Sequence, residues 1–244
     1  MILIASDGEL YGHHQPFRDK FLQYLTSSAL AQQNIDVTYP GLWLKRNPPR
    51  SVIRIRENTS WSCLHGVTRW SGECACATHS QWKAPLRRAL DHIAALVDEQ
   101  FYDFARRHTS DPWQLRHNYI SVHLRLATVE DLLFAGIDHP LSQEQIRTFA
   151  LLLAAQYERQ RIYTSCGWFF DDFDRIEPRN LIAYAAQAIW LTRLATGVNL
   201  KSSAEEALRR VQSWRSGLRA DTVFNHHYER AQRFSNPGGS SRSG

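Results

Sequence analysis

Two hydrophobic periods divide this chain. In the first 56 residues the pattern is short and strand-like. Ile2-Leu3-Ile4-Ala5-Ser6 is an apolar run ending in a dense polar cluster, the pattern of a buried strand emerging from a sheet. Pro16 is suited to the first turn of a helix, and Phe17, Phe21, Tyr24, Leu25 and Leu30 continue it as an apolar stripe. Asp36–Tyr39 reads as a second strand, Leu42–Lys45 as a short helix, and Val52–Arg56 as an alternating third strand after the Asn47-Pro48-Pro49 break. Strand, helix, strand, helix, strand is the rhythm of parallel α/β structure.

Residues 57–82 are irregular and rich in Trp, Cys and His, the kind of long segment that carries function. From Lys83 the period becomes helical. Leu86, Leu90, Ile93, Val97, Phe101 and Phe104 form one stripe, and Asp111-Pro112 caps the next segment. Ser142-Gln143-Glu144-Gln145 is a capping box opening a helix through Ile146, Phe149, Leu153 and Tyr157. A further helix is expected over Asn180–Thr196, stopped by Gly197, and a second capping box at Ser203-Ala204-Glu205-Glu206 opens a last one to about Trp214. The expected architecture is α/β but mostly helical. Residues 1–56 form the end of a (β/α) barrel, 57–82 a functional loop, 83–235 a helical bundle and 236–244 a disordered Gly/Ser-rich tail.

Composition narrows the function classes. The chain is 43% hydrophobic and 22% charged, an ordinary globular mixture, with eight Trp, nine Tyr and eleven Phe suited to a core or to carbohydrate stacking. The net charge is +5, but the basic residues are dispersed, so nucleic acid is not the expected partner. No apolar run is long enough to span a membrane. Neither a phosphate-binding glycine loop nor a Gly-x-Ser-x-Gly elbow is present. The expected compartment is the cytoplasm, with the four cysteines reduced.

Three groups of residues carry chemistry. In the first, Asp7 sits at the mouth of the expected strand, followed by Glu9, Tyr11, His13 and His14, with Gly8 and Gly12 allowing close backbone approach. A carboxyl there suits proton donation, and the imidazoles suit hydrogen bonds to a polar substrate. The second is Tyr163–Asp172, where small residues break a helix and Trp168, Phe169, Phe170, Asp171 and Asp172 follow. The third joins Cys63-Leu64-His65 with Cys74-Ala75-Cys76. Three thiols and an imidazole suffice for structural zinc, although the ligands in each pair stand closer in sequence than in familiar zinc fingers. Buried free cysteines and a redox-responsive pair are the other readings. Trp61 and His65 equally suit a sugar-binding loop.

Asp7-Gly8-Glu9-Leu10-Tyr11-Gly12-His13 resembles the Asp-x-Glu-x-Phe/Tyr-Gly-His motif of family 57 glycoside hydrolases. The resemblance implies an incomplete (β/α)7 barrel, here about its last three strands, followed by a helical bundle. It also implies action on α-glucans, with Asp7 as general acid/base. Glu9, Gly12 and His13 match; many members have Trp where His14 stands. The Tyr163–Phe170 stretch is similar to the family's Ser-x-Asp-Trp-x-Phe motif, with Gly167 in place of the Asp. The greatest similarity is to an uncharacterised branch with a C-terminal domain of unknown function, extending to about residue 200.

Retaining glycosidases need two carboxyl groups about 5–5.5 Å apart. The family's nucleophile is a Glu on an earlier barrel strand, for which this chain has no counterpart. The expectation is a C-terminal part of an α-glucan-acting hydrolase or glucanotransferase, inactive alone. Its partners are an oligosaccharide and the remaining half of the barrel, in cis or as a subunit. Asp7 is the catalytic candidate; Glu9, His13, His14, Trp61, His65, Trp168 and Asp171 are the substrate-binding ones. The alternatives are a non-catalytic glucan-binding or scaffold module, and a metal-binding helical protein using Cys63, His65, Cys74 and Cys76.

Overall fold

The computed structural model describes residues 2–12 and 15–235, which fall into two compact units meeting at Arg56/Glu57. Among the described residues there is no β-strand, and the expected barrel end is corrected to helix and irregular chain. The first unit contains a 3-10 turn at Gly8–Tyr11 and helices at Arg18–Tyr24 (α1) and Leu30–Gln32 (α2) joined through a π-turn. Pro40–Arg46 (α3) completes it.

Ile2–Ser6, Asp36–Tyr39 and Val52–Arg56 stay outside regular structure for a physical reason. A strand exists only by sharing backbone hydrogen bonds with a neighbour, and none of the three finds one among the described residues. Their side chains follow suit: Ile2 is 92% and Val52 99% exposed, and no described residue of this unit is buried.

The second unit is a helical bundle. Lys83–Ala105 (α4) is followed by Pro112–Asn118 (α5), Ile120–His123 (α6) and Val129–Gly136 (α7). Gln143–Arg161 (α8), Ile176–Thr196 (α9), Lys201–Leu208 (α10) and Ala220–Ser235 (α11) complete it. The helix starts follow local chemistry. Asp111 accepts from the Gln114 amide at 2.9 Å, and Ser142 and Gln145 exchange the reciprocal bonds of a capping box. Gly197 ends α9 at φ +76, the left-handed conformation that favours glycine. The expected box at Ser203 does not form: α10 has already begun at Lys201, whose amide bonds Asn199 Oδ1. The expected extension to Trp214 ends at Leu208, and α11 follows instead.

Two apolar clusters hold the bundle. One joins the first half of α4 to α9, α10 and α11 through Leu86, Leu90, Ile189, Phe224 and Tyr228. The other joins the end of α4 to α5, α7 and α8 through Phe101, Leu115, Leu133, Phe149 and Leu153. Each fully buried Leu, Ile or Phe contributes about 1.5–3 kcal/mol. Helix α9 lies between α8 and α11 and also packs on α4, with Leu181, Ile182, Ala185, Ala186, Ile189 and Thr192 all buried. No helix is long and apolar enough to cross a membrane among the described residues. The expected tail at 236–244 lies outside the described residues.

Candidate metal centre

The Glu57–Trp82 segment is held by turns rather than by a sheet. The Gly66 amide donates to the Cys63 carbonyl at 3.2 Å, closing a turn around His65. Gly66 adopts φ +68, and a Cβ there would stand 2.4 Å from the Asn58 carbonyl oxygen, so only glycine closes this turn without strain. Ala77 N–H to Cys74 O, at 3.0 Å, makes a second turn, and the buried Ser80 hydroxyl accepts from the Cys74 amide at 3.4 Å. Ser80 in turn receives the Lys83 amide at its carbonyl, at 3.0 Å, tying the segment to the start of α4.

These turns bring Cys63, His65, Cys74 and Cys76 together, with one ligand atom from each lying within 4.8 Å of every other. The sulfur separations are 3.5 Å for Cys63–Cys74, 3.3 Å for Cys63–Cys76 and 3.1 Å for Cys74–Cys76. His65 Nδ1 is 3.6 Å from Cys63 Sγ and 3.5 Å from Cys74 Sγ. None of these is a disulfide; all four cysteines of the chain are free. Zn–S and Zn–N bonds of tetrahedral zinc predict edges of about 3.8 Å between sulfurs and about 3.6 Å between sulfur and nitrogen. The nitrogen edges to Cys63 and Cys74 agree, and the three sulfur edges, at 3.1–3.5 Å, are shorter than that. The donor set therefore suits a four-coordinate metal with no position left for substrate.

Cations surround the thiols. Arg69 donates through Nη2 to Cys76 Sγ at 3.1 Å, and this bond is the largest cause lowering the Cys76 pKa to about 6. Lys83 is fully buried at the head of α4 and donates through Nζ to the Trp168 carbonyl at 2.6 Å. Burial pushes its pKa down, Arg69 adds to the effect, and Cys74 and Cys76 oppose it. Three thiolates and a neutral imidazole would leave a zinc site one negative charge in excess; Arg69 and Lys83 offset it.

Aromatic packing fixes this segment to the bundle. Trp82 stacks parallel to Trp168, with centroids 6.3 Å apart at 12°, and packs against Phe173. Trp70 meets Phe169 edge-on, and Arg87 donates to the Trp70 carbonyl at 2.7 Å. Trp168, expected as a sugar-stacking surface, is thus corrected to a core residue, 1% exposed. Gly167 has a packing reason to depart from the Asp of the resembled motif: a Cβ there would stand 2.5 Å from Leu181 Cδ1.

The other sequence candidates belong to both units. Trp61 is 84% exposed on the turn before Cys63. The Asp171 side chain, 47% exposed, pairs with Arg215, and its carbonyl accepts from both Trp82 and Trp214 indoles. Trp214 stacks on His79 with centroids 4.1 Å apart. Asp7 and Glu9 are exposed on the 3-10 turn of the first unit, Asp7 as its N-cap without a side-chain cap bond. His13 and His14 lie outside the described residues. Sequence reasoning missed Arg69, His79, Lys83 and Trp214. Of these, Lys83 carried a signal: it stands three residues before Leu86, a charge on the apolar stripe.

Comparison with curated proteins gives no match, and comparison with solved structures gives none. Nothing in the comparisons ties the chain to family 57 glycoside hydrolases. One family model, a domain of unknown function (DUF3536), matches residues 79–232, from His79 to the last turn of α11. The four clustered ligands precede that span, while Lys83, Trp168, Asp171 and Trp214 lie inside it. With well over half of its 244 residues matched, the chain belongs to the DUF3536 family.

Proposed function

We propose that this chain is a zinc-binding helical module in which Cys63, His65, Cys74 and Cys76 hold a structural ion. The ligand geometry carries the reading: three sulfurs and one imidazole nitrogen converge within 4.8 Å of one another, and two nitrogen–sulfur separations match tetrahedral edges. A closed set of four protein ligands performs no Lewis-acid chemistry on a substrate. It joins two turns that share no sheet, and supplies the folding energy such a segment otherwise lacks.

The test is metal analysis of the purified chain, with cobalt substitution. One zinc per chain, and cobalt absorption bands of tetrahedral thiolate ligation that disappear in Cys63→Ser/Cys74→Ser, are expected. A chain free of zinc after growth with zinc, and colourless with cobalt, would sink the reading.

A second reading is that the module serves a protein acting on α-glucans, with Asp7 as acid/base. It rests on the motif resemblance and on two observations. The exposed Asp171 carboxylate pairs with Arg215 and the Trp214 indole donates to the Asp171 carbonyl, so groups that stack on and hydrogen-bond sugars meet there. The apolar side chains of Ile2, Ile4, Val52, Ile53 and Ile55 are exposed, a surface that a partner would cover. Titration calorimetry with maltoheptaose checks it. Binding weakened by Trp214→Ala, with no hydrolysis by the isolated chain, is expected. Absence of binding, or turnover that survives Asp7→Asn, overturns it.

A further inference from the structure

A second site lies on the bundle, away from the metal ligands in sequence and unrelated to both functional readings. Helices α5 and α6 and the C-terminal half of α8 enclose a cavity of about 300 Å³. Arg116, Tyr119, His123, Gln156, Tyr157 and Arg161 contribute to its wall, and no Asp or Glu among the described residues lines it. That volume is at the lower end of the range for small-molecule sites.

Arg116 is the residue that makes the cavity unusual. Burial pushes its pKa down, the distant Asp98 charge opposing and Arg159 adding to the effect. Its guanidinium covers the Trp113 ring at 4.8 Å, and Nη1 makes a long 3.5 Å bond to Gln156 Oε1. Its Nε is buried without a hydrogen-bond partner.

The nearby acids are already engaged. Asp98 is bound by Arg159 at 2.6 Å and by the Gln156 amide at 3.0 Å, and Glu158 is gripped by Arg161. Arg116 is therefore a half-buried cation with no carboxylate at ion-pair distance among the described residues. A guanidinium fork in a low-dielectric recess is the preferred partner of a carboxylate or phosphate oxygen pair.

Part of the wall is aromatic. His123 packs at a tilt on Tyr157, with centroids 4.3 Å apart, and Tyr157 also lies under the Arg161 guanidinium at 5.4 Å. Tyr119, half-buried, has its pKa raised by burial and by Tyr157. Such a wall takes the flat or weakly polar body of a small molecule, while Gln160 and Thr164 add hydrogen-bonding groups at the rim.

We propose that this cavity binds a small molecule bearing an oxyanion, a carboxylate or a phosphate monoester, with the oxyanion on Arg116 and the body against Tyr119, His123 and Tyr157. The test is titration calorimetry on the full chain with inorganic phosphate, glucose 6-phosphate and benzoate, and glucose as the uncharged control. At least one oxyanion binds with a Kd below about 10 mM, and Arg116→Gln weakens it about ten-fold or more. Response to benzoate alone identifies a carboxylate ligand; response to the phosphates alone identifies a phosphate ester. The wild-type chain gives an independent readout, because the His117 and His123 ring resonances shift on binding. Arg116→Lys, which keeps the charge and loses the fork, also weakens binding. No binding by any oxyanion, equal binding of glucose, or binding without the histidine shifts would overturn the proposal.

Discussion

Lys83 Nζ donates to the Trp168 carbonyl across 2.6 Å, joining the head of α4 to the turn before α9, within electrostatic reach of Cys74 and Cys76. Two distant parts of the chain meet in that bond. It also places an ammonium beside thiols that would be thiolates when a metal is bound. Lys83→Met keeps the length and removes the charge and the donor. We predict zinc affinity about ten-fold weaker, the scale seen when groups around metal ligands are altered. The helical circular dichroism is unchanged. Competition with a chromophoric chelator measures it; an unchanged affinity would show that Lys83 serves the Trp168 carbonyl alone.

Metal removal acts on one segment. The turns of residues 57–82 have few backbone bonds of their own, whereas α4, α8 and α9 are held by the two apolar clusters. With chelator present, limited proteolysis is expected to cut between Glu57 and Trp82 and leave 83–235 intact. Simultaneous loss of the bundle would contradict a local role for the metal.

Gly167 is fixed by packing. Alanine there brings a methyl group to 2.5 Å from Leu181 Cδ1 and 2.7 Å from Cγ, inside the main core. Overpacking of this kind costs about 1–3 kcal/mol, read by urea unfolding of Gly167→Ala. The double variant Gly167→Ala/Leu181→Ala recovers part of the loss. Gly167→Asp, the residue of the resembled motif, is more damaging than alanine because it adds a charge to the same space.

Acid weakens the bundle through His108. Burial pushes its pKa below the ordinary 6.5, with His139 and Arg107 adding to the effect. A histidine with a depressed folded pKa binds fewer protons folded than unfolded, so stability rises with pH through that window. The melting temperature therefore falls as pH drops below about 6.5, and His108→Gln flattens the slope. An identical slope in the variant refutes the assignment; other titrating groups cancel in the comparison.

The helices were legible where periodicity and caps coincide. The Leu86-to-Phe104 stripe, the Ser142 box and the Gly197 stop each locate an element within a few residues. The strands failed because a strand's existence depends on a partner elsewhere, and the apolar content of Ile2–Ser6 or Val52–Arg56 carries no information about one. Helix α11 lies beyond the expected last helix, although Ala220, Val223, Phe224, Tyr228 and Ala231 follow helical spacing; its many polar residues dilute the stripe. The cysteine cluster was visible in residue types, but its closure depends on Gly66, Ser80 and Lys83. Their contribution is geometric rather than a matter of ligand spacing. Trp168 looked exposed in sequence because it follows a helix break; its partner Trp82 is 86 residues earlier.

The position of α9 between α8 and α11 has a kinetic side. A helix whose buried residues wrap around most of its circumference gains little until partners on both flanks have arrived. Those partners come from before it and after it in the chain, so α9 joins the native state only when the ends of the bundle close together. The same enclosure means that the amides at its centre, around Leu181–Thr192, meet water through opening of the bundle, so slow exchange is expected there.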